Sequence, residues 1–153
     1  MINRIVKGLS IHALLAISLI LVGTTSATAG PQPGKTMVGS WIVTINSDFG
    51  PPAIDIATVN RDGTMSNSDA LFGTGHGVWR HAGASTFAYK FMTPILVTAG
   101  FPPGAMLTVT GTATVNDGGH DATGPFQAVV TVPPGIVFFG FSGTVDFARI
   151  SVD

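Results

Sequence analysis

The chain reads as an all-β protein: a small antiparallel up-and-down barrel of about eight strands, with a β-sandwich as the alternative. Three observations carry that reading. Every acidic residue is an aspartate and glutamate is absent, while Gly, Thr, Val and Pro are abundant; glutamate favours helices, whereas aspartate, glycine and proline punctuate turns. Apolar and polar residues alternate with a period of two between those turn signals, the pattern of strands with one face buried. Tight connections alternate along the chain with longer ones, as they do when successive loops fall on opposite ends of a barrel.

The first 29 residues are set aside from the fold. Arg4 and Lys7 precede an apolar run from Ile11 to Val22, and small residues ending in Ala27-Thr28-Ala29 follow it. That layout is a secretory signal cleaved after Ala29, and the run falls short of the ~20 apolar residues of a membrane-spanning helix. The expected product is exported, periplasmic or secreted, without a membrane span. Residues 30–36 carry two prolines and no apolar pattern, a flexible leader, and a single domain follows from Met37 to Asp153. Without Arg4 and Lys7, five basic residues face eight aspartates; this net negative charge gives a nucleic acid nothing to bind. There is no cysteine, so burial and sheet hydrogen bonding must hold the domain without disulfides.

The strands follow in order from Val38 to Asn46, Ile54 to Asn60, Thr64 to Ala70, His76 to His81, Thr86 to Val97, Met106 to Asn116, Ala122 to Val132 and Ile136 to Ile150. Met106 to Asn116 shows the pattern best: Leu107, Val109, Gly111, Ala113 and Val115 form a dry face, and Thr108, Thr110, Thr112 and Thr114 a wet one. Phe87, Tyr89 and Phe91 share a core face, as do Phe139, Phe141, Val145 and Phe147. Asp62-Gly63, Ala82 to Ser85 and Asp117-Gly118-Gly119 have tight-hairpin chemistry and stitch one end. The loops around Phe49-Gly50-Pro51-Pro52, Leu71-Phe72, Phe101-Pro102-Pro103 and Pro133-Pro134 share the other end and give it an apolar rim. A stitched base and an apolar rim describe a cup whose loops either frame a mouth or plug it as a second small core.

The segments Val38-Gly39-Ser40-Trp41 and Phe147-Ala148-Arg149-Ile150 together resemble the lipocalin and avidin (calycin) superfamily of barrels. The resemblance implies that Trp41 packs at the closed end beneath Arg149 from the last strand, a cation–π contact that also closes the seam. The chain lacks the cysteine pair and the helix that follows the last strand in lipocalins. Barrels of the allene oxide cyclase type are similar in size and strand count only.

Residues that could carry chemistry are few. In the segment Gly75-His76-Gly77-Val78-Trp79-Arg80-His81, His76, Val78 and Arg80 share one face, and Trp79 and His81 the other. If the first face points inward the cavity holds an imidazole and a guanidinium; if the second does, Trp79 and His81 line it, and the apolar bulk of Trp79 favours this arrangement. The odd spacing of His76 and His81 separates them across the sheet, and no metal site or cofactor is expected. Asp55 and Asp146 are out of phase with large apolar neighbours and are expected to face solvent, so no paired-carboxylate site is anticipated. The expected ligand-lining set is His76, Trp79, His81, Tyr89, Phe49, Phe72 and Phe101, with Trp41 and Arg149 structural. The sequence does not determine a function. Its leading expectation is a binding module for a small apolar ligand; the alternatives are a cofactor-free barrel enzyme of cyclase or isomerase type, using a histidine with Tyr89, and an interaction protein using its apolar loops. Oligomeric state is left open.

Overall fold

The computed structural model describes residues 35–69, 72–96 and 100–151. The expected signal segment, most of the leader and Leu71 lie outside the described residues. Eight strands, β1 (Gly39–Ser47), β2 (Ala53–Val59), β3 (Thr64–Asp69), β4 (Gly73–His81), β5 (Thr86–Pro94), β6 (Met106–Val115), β7 (Asp121–Val132) and β8 (Ile136–Arg149), pair with their sequence neighbours. All pairs are antiparallel, and β8 returns to β1 in a register running from Trp41↔Arg149 to Ser47↔Gly143, so the barrel is closed and up-and-down. A closed barrel leaves no sheet edge unpaired, which replaces the covalent staples that a cysteine-free chain lacks.

Three short connections close one end. Between β2 and β3 the Thr64 amide donates to Asp62 Oδ1 at 2.9 Å and the Gly63 amide to Asn60 O at 3.3 Å. Between β6 and β7 the Asn116 side chain donates to Asp121 Oδ2 at 3.0 Å. The same end carries the seam lock. The Arg149 guanidinium lies 4.1 Å from the Trp41 ring centroid, as the calycin resemblance implies. It also donates to three carbonyls, Gly119 O at 2.7 Å, Val38 O at 2.7 Å and Thr36 O at 2.5 Å. Trp41 is fully buried, donates its indole N–H to Met37 O at 2.7 Å and meets Phe147 edge-on. Lys35 and Thr36, assigned by sequence to the leader, therefore belong to this cap: Lys35 pairs with Asp117 across the last tight turn.

Two strand readings change. β4 begins at Gly73 rather than His76, because Gly73, Gly75 and Gly77 sit on the inner face where neighbouring side chains fold over the backbone, a use of glycine that strand propensity scores as a break. β2 is turned over: Asp55 is 4% exposed, while Ile54 and Ile56 are 67% and 54% exposed. The cause is register. Trp41 must be inside, it opposes Ala57, and that pairing forces Asp55, opposite Val43, to the inner face and Ile56, opposite Ile42, to the outer one. Asp146 faces out as expected, bonded by Asn46 and Thr123.

Candidate functional site

The inner faces enclose a cavity of about 480 Å³ between the sealed end and the longer loops. Its walls differ. On β6, β7, β8 and β1 they are apolar, built from Leu107, Val109, Phe126, Phe141, Val145 and Val43. On β2, β3 and β5 the lining includes Asp55, Asn67, Asp69 and Thr93. The ladder registers make these neighbours: Asp55 opposes Asp69 across β2 and β3, and Asn67 opposes Gly75 across β3 and β4. Gly75 is required there, since a Cβ on it would collide with Thr93 Oγ1 and Asn67 Oδ1 and come within 3.0 Å of the Met92 carbonyl. Its missing side chain lets those two polar groups approach one another from β5 and β3.

The hydrogen bonding of this polar wall is partial. The Asn67 amide donates to Asp55 Oδ2 at 3.0 Å, and the Phe72 backbone N–H donates to Asp69 Oδ1 at 2.7 Å. The Asp55 and Asp69 side chains oppose one another across the β2–β3 ladder. Burial, reinforced by the facing Asp69 carboxyl, pushes the Asp55 carboxyl up to about 7, against the opposing effect of the Asn67 amide. Asp55 Oδ1, Asn67 Oδ1 and Thr93 Oγ1 remain buried without a protein partner, although Asp55, Asn67 and Thr93 are 4%, 6% and 0% exposed. Buried polar atoms in a folded core are satisfied in the great majority of cases, so a cluster of unpartnered ones beside a cavity has hydrogen-bonding capacity left over. Across the cavity the Tyr89 hydroxyl is also buried without a partner, against Gly111 and the Pro125 carbonyl, and burial pushes its ionisation upward.

Of the expected ligand-lining residues, Tyr89, Phe49 and Phe72 line the cavity. Phe49 stacks on Phe139 and Phe141, with centroids 4.9 Å and 5.4 Å apart, and so forms part of the mouth. Phe101 is not a wall residue; it packs against Phe138 and Phe139 at the rim. His76 is exposed on the outer face, opposite Ser66 and Met92. Trp79 and His81 have the inner phase but sit toward the sealed end, where Trp79 donates to Asn60 O and His81 packs against Trp79 and Phe87. No histidine meets Tyr89 among the described residues, so the histidine–tyrosine acid/base pair is not assembled. The polar wall itself was missed because the phase of β2 was misread and because β3, with its inward Asn67 and Asp69, reads as a weak strand. The signal was available in principle: once Trp41 is placed inside and β1 is paired with β2, Asp55 must follow it. Comparison of the chain with protein-family models, with curated proteins and with solved structures finds no match.

Proposed function

We infer that this protein is an exported binding module of calycin-like architecture that takes a small, predominantly apolar molecule into the barrel through its loop-bearing end. The observation that carries the reading is the cavity of about 480 Å³, of ligand-holding size, reaching the loop Phe49–Pro52 and walled mainly by apolar side chains. A barrel that needed only stability would fill this space, since an empty volume forfeits the dispersion contacts of its lining. The Arg149–Trp41 seam supports the calycin-like reading at the closed end, and the amino-terminal charge and apolar pattern supports export.

Native mass spectrometry of the protein purified from its own host tests this directly. The expected spectrum shows a stoichiometric non-covalent adduct that organic solvent releases, and the adduct disappears in a Val109→Trp variant whose indole fills the cavity. An adduct retained by that variant would place the ligand elsewhere and end the cup reading.

A further inference from the structure

The polar wall narrows the class of ligand. Three unpartnered atoms face a common region, and two of them, Asp55 Oδ1 and Asn67 Oδ1, act as acceptors, since the Asn67 amide nitrogen is already committed to Asp55. The third, Thr93 Oγ1, accepts as readily as it donates. Among the described residues no Lys, Arg or His lines the cavity. The basic side chains among the described residues are occupied or placed elsewhere: Lys35 and Arg149 at the sealed end, and Arg61, Arg80 and Lys90 exposed. Asp55 thus lies buried with no basic side chain among the described lining residues, a placement costly to ionise unless positive charge is supplied from outside.

We propose that the ligand is an apolar amine, whose ammonium group seats on Asp55, Asn67 and Thr93 while its hydrocarbon body fills the cavity against β6, β7 and β8. The proposal deepens the cup reading and rests on it. An ammonium offers three N–H donors and no acceptor, which matches three acceptors left open, and its charge balances that of an ionised Asp55. An anionic ligand would face two carboxyl groups, and a neutral alcohol would leave acceptors empty. Asp55 opposes Val43 of β1 and Asp69 of β3 and accepts from Asn67, and the remaining titratable side chain among the described lining residues is Tyr89 of β5. Amine binding therefore expels a proton near neutral pH, and affinity rises with pH from 5 to 7.5 while the amine itself stays protonated.

Isothermal titration of the native protein with 1-adamantanamine, 1-adamantanol and adamantane-1-carboxylate, three rigid probes with one hydrocarbon body, decides the matter. The amine is expected to bind at least about tenfold more tightly than the alcohol at pH 7.5, the margin a charge-assisted hydrogen bond confers, with the carboxylate weakest. Acidification to pH 5 should erase that margin while leaving the alcohol unchanged, and titration in buffers of different ionisation enthalpy should show proton release. An Asp55→Asn variant should bind amine and alcohol alike, and Thr93→Val should reduce amine binding selectively. Equal binding of amine and alcohol to the unaltered protein, or an amine preference that survives in Asp55→Asn, overturns the amine proposal and leaves the cup reading standing. Failure of all three probes to bind overturns both. The comparison of probes and pH on the unaltered protein stands even where a variant does not fold.

Discussion

Asp55 shows how one side chain couples stability, acidity and recognition. Its carboxyl titrates at about 7 in the folded barrel, against 3.8 as its ordinary value. Between these values the folded state keeps a proton that the unfolded chain has released, so this group's contribution favours folding at the acid end and is lost as pH rises from about 4 to 7. Thermal unfolding should therefore show a melting temperature that falls between pH 5 and pH 8, by an amount equivalent to roughly 2 kcal/mol, and Asp55→Asn should flatten the profile. A profile unchanged by Asp55→Asn would locate the titrating group elsewhere. Gly75 has a similar leverage: Gly75→Ala should cost about 1–3 kcal/mol in urea unfolding by overpacking Asn67 and Thr93, and should weaken ligand binding with it. Neither residue announces its role in the sequence. Period-two alternation separates Asp55 from Ile54 and Ile56 but does not say which set is inside, and hydropathy alone points to the isoleucines. The structure leaves Ile54 and Ile56 in the open because Trp41 dictates the phase of β1 and the ladder transmits it to β2.

Among the elements, those whose inner faces are mainly apolar were legible, and β2, β3 and the start of β4, which build most of the polar wall, were not. β5 to β8 follow their expected faces closely, because the large apolar side chains among their alternate positions, such as Phe87, Leu107, Phe126 and Phe147, leave one orientation open. β3 and the start of β4 read poorly for one physical reason: inward positions are held by Asn67, Asp69, Gly73 and Gly75, residues disfavoured in strands that stay in register through the β3–β4 ladder, with Asn67 and Asp69 paired to β2 as well. The seam element was legible through its Gly-x-Trp and arginine, and its energetics follow from its partners. Arg149 makes three charged hydrogen bonds to carbonyls and covers the Trp41 ring. Arg149→Ala should lower unfolding free energy by about 2–4 kcal/mol, measured by denaturant titration. Arg149→Lys should restore little of it, since an ammonium cannot span three carbonyls of fixed geometry. A full rescue by lysine would show that charge alone suffices.

The whole molecule is a ring of strands in which β1 and β8 are interior members like any other. Native-state hydrogen exchange should accordingly find the amides of β1 and β8 about as protected as those of β6 and β7; faster exchange confined to β1 and β8 would mean that the seam opens on its own. The barrel's closure was legible in the alternation of tight and long loops, whereas the cavity was not, since an apolar inner face reads the same whether it is packed solid or encloses a space. What separates the two is side-chain volume summed around a closed circle, and that depends on registers no single strand contains.

The pairing of Trp41 with Arg149 also sets an order of events on the ribosome. The two partners are separated by about 100 residues, so at ~5–20 residues per second some 5–20 s pass between the appearance of β1 and that of the strand that completes it. Throughout that interval Trp41 and Val43 have no opposing wall, and the chain is an unfinished ribbon with two open sides. Until the arginine arrives, the apolar inner face of that ribbon stays open to water, and the chain is at its most exposed just before its last strand is made.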